Sequence, residues 1–158
     1  MAKFPTEATE SVVVPVALAD AYAFFWDVVG SARCIPGLDR CEKTTVADVY
    51  RFVFAERSTG PVSMCVTYTA RYTGNGSDEI RFLGTGAAGD NTDVDGTIRF
   101  EPVDADRTRV TLRQALAPDT PVPRLLQGLI KSFVQGEAAQ AVSTYLANVT
   151  QAIGSARA

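Results

Sequence analysis

The side chains of this chain best suited to hold or move a proton beside an apolar surface are tyrosines. Tyr50, Tyr68 and Tyr72 fall on segments whose alternate residues are apolar, and Gln114 stands in the same way among Val110, Leu112 and Leu116. A phenol with an amide nearby can orient a carbonyl or act as a general acid. Histidine is absent. That removes imidazole acid–base chemistry, Ser-His-Asp and Cys-His nucleophile systems, and His-type zinc sites. Cys34, Cys41 and Cys65 show no C-x-x-C spacing, and an odd number with no signal-type leader reads as reduced, mostly buried thiols. No catalytic residue, metal or cofactor is therefore expected.

Two stretches imitate motifs that do carry chemistry. Gly84-Thr85-Gly86-Ala87-Ala88-Gly89 matches G-x-G-x-x-G after a strand-like run, but Asp90 to Gly96 is a poor helix start and puts acids where a pyrophosphate would sit. A glycine-rich connection between strands is the better reading. Asn91-x-Asp93-x-Asp95-Gly96 looks like the opening of a calcium loop, yet Pro102 stands where the bidentate acid belongs. Strand alternation, with Thr92, Val94, Ile98 and Phe100 facing inward, accounts for it.

The elements that must position these residues follow from period. Glu7 to Val14 reads as a strand ended by Pro15, and Ala17 to Val29 as a helix with Ala21, Phe24, Phe25 and Val28 on one side, stopped by Gly30. A short helical turn over Ser31 to Cys34 and the Ile35-Pro36-Gly37 bend lead into strands. These are Leu38 to Val46, Val49 to Arg57, Val62 to Tyr72, Glu79 to Leu83, Asn91 to Val103 and Thr108 to Ala117, with turns at Ser58-Thr59-Gly60-Pro61, Gly74-Asn75-Gly76-Ser77 and Asp104-Ala105-Asp106. Val122 to Ile153 then reads as one helix, capped by Asp119 or Thr120 with Pro121 in its first turn. Leu125, Leu126, Leu129, Ile130, Phe133, Val134, Ala141, Val142, Tyr145, Leu146, Val149 and Ile153 form its apolar stripe. Gly128 and Gly136 inside it suggest a bend or a close approach of other backbone, and a helix that moves to admit a ligand.

Composition bounds the rest. A chain of 158 residues is about one domain, 1–158, and a hydrophobic share of 46% is that of an ordinary globular protein. A net charge of −3 argues against nucleic acid, since Arg107, Arg109 and Arg113 merely alternate along one strand. The absence of a long apolar run argues against stable membrane insertion, so a cytoplasmic location is expected.

The element order resembles the START-like, or Bet v 1-like, helix-grip superfamily (SRPBCC), which includes polyketide cyclases and lipid carriers. Asp27, Cys34-Ile35-Pro36-Gly37, Gly60-Pro61-Val62, Gly84-x-Gly86, Gly96 and Thr108 are most similar to carbon monoxide dehydrogenase G-like proteins. Ala117 to Pro123 departs from the Gly-rich loop of those proteins. The resemblance implies an α+β fold, a curved antiparallel sheet of about seven strands wrapped round a long C-terminal helix, with two short helices after the first strand. It also implies a cavity between sheet and helix, with Ile35-Pro36-Gly37 and the hairpin loops near its mouth. The expected lining is Phe25, Ile35, Tyr50, Phe52, Phe54, Met64, Val66, Tyr68, Phe82, Ile98, Gln114, Leu126, Ile130 and Phe133. The function implied is binding or carriage of a lipid, isoprenoid or aromatic polyketide. A cyclase, aromatase or dehydratase using the tyrosines, and an accessory role in assembling a dehydrogenase, are the alternatives. A protein partner stays open, as does the choice between monomer and homodimer.

Overall fold

The computed structural model describes residues 2–59 and 61–157; Gly60, in the expected turn, lies outside them. Strands β1 (Ala2–Lys3) and β2 (Thr6–Val14) are followed by helices α1 (Leu18–Trp26) and α2 (Val28–Ser31) and a 3-10 turn at Ala32–Cys34. Then come β3 (Leu38–Lys43), β4 (Val49–Phe54), the hairpin β5 (Arg57–Thr59) and β6 (Val62–Met64), β7 (Thr67–Gly74), β8 (Glu79–Gly84), β9 (Thr92–Asp104), β10 (Arg107–Thr120) and α3 (Gln127–Arg157). β1 and β2 both pair with one edge of β10, and the order continues β10-β9-β8-β7-β4-β3, every neighbour antiparallel. Taking the interrupted edge as one strand, the sheet has the seven positions expected. α3, at 31 residues, spans about 46 Å and lies along the concave face.

Alternation sets the two faces. Along β9, Thr92, Val94, Gly96, Ile98 and Phe100 are buried, whereas Asp93, Asp95 and Arg99 are exposed. The motif imitations resolve into structure. Gly84 leads through a loop into β9 rather than a helix, and the Asp90 carboxylate accepts hydrogen bonds from Thr69 N and Oγ1. Asn91 Oδ1 accepts from Thr67 N, its amide donates to Cys65 O, and Asp93 pairs with Lys3. The Asp90 and Asn91 side chains are committed to holding the loop over β7, which is why Thr67 and Thr69 are buried on the outer face.

Three readings of the long helix need correction. Asp119 and Thr120 do not cap it. They continue β10 and pair with Lys3 and Ala2, and a 3-10 turn at Arg124–Leu126 intervenes, preceded by Pro123 with no side-chain cap. The apolar stripe is also wider than the buried face, because Leu125 and Leu129 are solvent-exposed. Gly128 and Gly136 meet no heavy atom within 4 Å of an added Cβ, so no backbone approaches there.

The core has two parts. The larger joins Phe25, Phe52, Tyr68, Ile80, Phe82, Ile98 and Phe100 to Val142, Leu146, Val149 and Ile153 of the second half of α3. The smaller gathers Phe4, Val62, Ile130 and Val134 round its first half. Gly96 is required in the larger part, because a Cβ there would lie 2.1 Å from Phe82 Cζ and 2.7 Å from Arg113 O.

Candidate functional site

A cavity of about 160 Å3 separates the two clusters. Its origin is local. Between Val134 and Val142 the inward positions of α3 are Glu137, Ala138 and Ala141, and the Cβ-only alanines leave space beneath the helix. Opposite them stand Thr6, Thr92, Leu116 and Pro118, from the ends of β2, β9 and β10. Phe54, Val62, Met64 and Val66 form a third wall from β4, the hairpin and the segment between β6 and β7, and Pro36-Gly37 borders the opening.

Polar groups are few. Thr6 Oγ1 donates to Leu116 O, and Thr92 Oγ1 donates to Asn91 Oδ1, so both hydroxyls are already engaged. The charged pair is at the rim. Arg57 Nη2 lies 2.9 Å from Glu137 Oε2, with side-chain exposures of 60% and 42%, and joins the hairpin to α3. An ion pair that exposed is worth roughly 0–1 kcal/mol and can open at little cost.

Of the expected lining, Phe54, Met64, Val66, Ile130 and Phe133 border this space. The others do not. Phe25, Phe52, Tyr68, Phe82 and Ile98 are 1–4% exposed inside the larger core cluster, and Ile35 and Tyr50 pack against it half-buried. Leu126 seals the smaller cluster. Gln114 is half-buried on the inner register between Ala8 and Gly96, away from the cavity wall and with no tyrosine partner among the described residues.

No family model and no curated protein matches this chain. Solved structures do. A Thermus thermophilus protein, 17% identical, aligns with a TM-score of 0.70 over 96% of this chain and 99% of its own. A START superfamily protein from Mycobacterium smegmatis, 12% identical, gives 0.66 over 94% and 97%. An aromatase/cyclase from Streptomyces, 14% identical, gives 0.65 over 94% and 91%. The chain has the START-like helix-grip fold.

Within that START-like fold, the tyrosines expected to be polar tips in a pocket instead build an aromatic floor. Phe52 stacks on Tyr68 at 4.9 Å, Tyr72 on Phe82 at 5.4 Å, and Tyr50 meets Tyr72 edge-on at 5.6 Å. Burial holds the Tyr68 and Tyr72 phenols above the usual tyrosine value, and does the same to Tyr145 although its contact with Ser31 opposes the shift. Cys41 is likewise pushed up to about 11 by burial, with Glu42 adding to it. A phenol held neutral and packed between rings is a weaker acid than a free one. Among the described residues no group of three His, Cys, Asp or Glu side chains could hold a metal ion.

Among the residues that sequence reasoning missed, Ala138, Thr6, Thr92 and Pro118 make the space by being small or near an element's end, and Glu137 stands at its rim. Ala138 was findable, being four residues from both Val134 and Val142 of the inner stripe.

Proposed function

We propose that the protein binds and carries a hydrophobic small molecule between α3 and the sheet, with a lipid, isoprenoid or aromatic polyketide as the candidate classes. The observation that carries this reading is the cavity left by Ala138 and Ala141 under a helix otherwise packed on the sheet. Its volume of about 160 Å3 is close to that of an engineered apolar cavity known to take up benzene, so it holds a ring or a short chain segment. A longer ligand must displace the first half of α3, which is held by the smaller core cluster, by the hydrogen bond that Gln135 Nε2 donates to Glu7 O and by the Arg57–Glu137 pair. Binding comes from burial of apolar area at about 25 cal/mol per Å2, with few polar groups to set orientation.

Native mass spectrometry after mild purification, followed by a screen of lipids, isoprenoids and aromatics, tests the reading. A retained ligand, or one that raises the melting temperature of the wild type, supports it. Failure of every class to bind, with Ala138 and Ala141 tolerant of large side chains, would sink it.

A cyclase-type enzyme is the second reading, favoured by the aromatase/cyclase among the similar structures. The tyrosines lie off the cavity, so the assay to apply is turnover of an aromatic polyketide by Tyr50→Phe, Tyr68→Phe and Tyr72→Phe; unchanged turnover in all three removes them from any catalytic role. The likeness to carbon monoxide dehydrogenase G-like proteins and the assembly role stay sequence-level resemblances. A pull-down testing them needs point substitutions, because residues 117–120 form part of β10 and their deletion would remove its pairing with β1.

A further inference from the structure

The outer side of the helix's first turns carries a surface that the cavity does not use. Leu125 is 98% exposed and Leu129 67%, the two most exposed large hydrophobics among the described residues, and they stand one turn apart. Their neighbours Leu126 and Ile130 face the other way into the smaller core cluster, so burial inside the fold does not account for the pair. Pro121 and Pro123, both exposed, lead into the same ridge.

Charge along the ridge itself has one sign, with Asp119 and Glu137 the acids at its two ends. From Thr120 to Gly136 the chain bears Arg124 and Lys131 and no acid, within a protein of net charge −3. Neither cation is paired with any described residue. The nearest helix acid, Glu137, is held by Arg57, and Asp93 by Lys3. With Arg124 and Leu125 in the 3-10 turn that leads into α3, the two cations fall on one side of the ridge, about a quarter to just under half a turn from the leucines.

We infer that this ridge docks on an anionic lipid surface, Leu125 and Leu129 entering the interfacial layer and Arg124 and Lys131 meeting the headgroup phosphates. An apolar strip with unpaired cations along one side is what such a surface recognises. A second copy of the chain fits worse. Two leucines fall far short of the about 800 Å2 per partner that a stable dimer buries, and a two-fold contact would bring like charges together. The contact is peripheral, since no described helix is long and apolar enough to cross a membrane. The inference does not depend on what fills the cavity.

Co-sedimentation of the full chain with phosphatidylcholine vesicles, with and without phosphatidylglycerol, tests it. The wild type should bind only the anionic vesicles and lose binding as salt rises. Leu125→Ser with Leu129→Ser, and separately Arg124→Glu with Lys131→Glu, should each weaken partition at least about tenfold while circular dichroism and cavity binding of a fluorescent apolar probe stay unchanged. Equal binding to both vesicle types, no binding to either, or variants that sediment like the wild type would overturn the inference. A concentration-dependent dimer abolished by the leucine variant would overturn it too, by assigning the ridge to self-association.

Discussion

Replacing Ala138 by Leu asks whether the space under α3 is kept open at the expense of stability. An unfilled cavity costs about 24 cal/mol per Å3 in a well-studied core-truncation series, so 160 Å3 represents on the order of 4 kcal/mol. The opening beside Arg57 and Glu137 lets water into part of it, and one leucine fills only part of the rest. A gain of about 2 kcal/mol is therefore expected, or roughly 4–8 °C in melting temperature for a chain of this size. Leucine suits a helix interior nearly as well as alanine, so the backbone contributes little to the difference. Thermal unfolding followed by circular dichroism reads the stability, and titration with anilinonaphthalenesulfonate reads the cavity. Stability should rise while probe binding falls by at least an order of magnitude. A destabilised variant that still binds the probe as the wild type does would show that the space is not where the ligand goes and not free to be filled.

Three further outcomes follow from the same geometry. Gly128→Ala and Gly136→Ala, both with open space around the new methyl, should together add about 1–2 kcal/mol of stability and slow association of the apolar probe measured by stopped flow, because a stiffer first half of α3 moves less readily; an unchanged association rate would count against helix movement. Gly96→Ala should destabilise by several kcal/mol in denaturant titration, since Phe82 can turn aside but the Arg113 carbonyl at 2.7 Å cannot; a loss under about 1 kcal/mol would contradict the packing described. Alkaline pH should unfold the protein cooperatively: the raised values of Tyr68, Tyr72 and Tyr145 mean the unfolded chain loses protons first, so their contribution is complete below about pH 10 and is lost above it at roughly 1.4 kcal/mol per pH unit for each tyrosine, and phenolate absorbance should rise together with loss of near-ultraviolet circular dichroism rather than before it.

Element order was legible in the chain because periods of two and of about 3.6 survive in it. Val94, Ile98 and Phe100 alternate with Asp95 and Arg99, and Val134, Val142, Leu146, Val149 and Ile153 recur at helical spacing. Depth was not legible. Alternation says which side of a strand faces in, but whether Tyr68 borders a cavity or packs against Phe52 depends on the β4–β7 register and on what α3 places above it. The helix boundary failed for a related reason. Asp119 and Thr120 look like caps locally, yet pairing with β1, at the other end of the chain, draws them into the sheet. Leu125 and Leu129 were assigned to the core stripe because spacing alone cannot tell a stripe that is covered from one that is not.

The arrangement of charge and apolar surface bears on which kind of function the cavity can serve. Its wall holds one acid and one base, Glu137 and Arg57, and they neutralise each other at the rim. Inside that rim the hydroxyls of Thr6 and Thr92 are spent on Leu116 O and Asn91 Oδ1. An acid–base reaction needs a titratable group within about 3 Å of the proton it moves, and the tyrosines that could serve are stacked beneath the cavity rather than in it. Retention by shape and apolar contact asks for none of this. It asks for a wall that yields, and α3 is built unevenly for that purpose: its second half is sealed into the larger core by Val142, Leu146, Val149 and Ile153, while its first half rests on Ile130 and Val134, one hydrogen bond from Gln135 to Glu7 O and the exposed Arg57–Glu137 pair. The half that is weakly held is the half that covers the cavity.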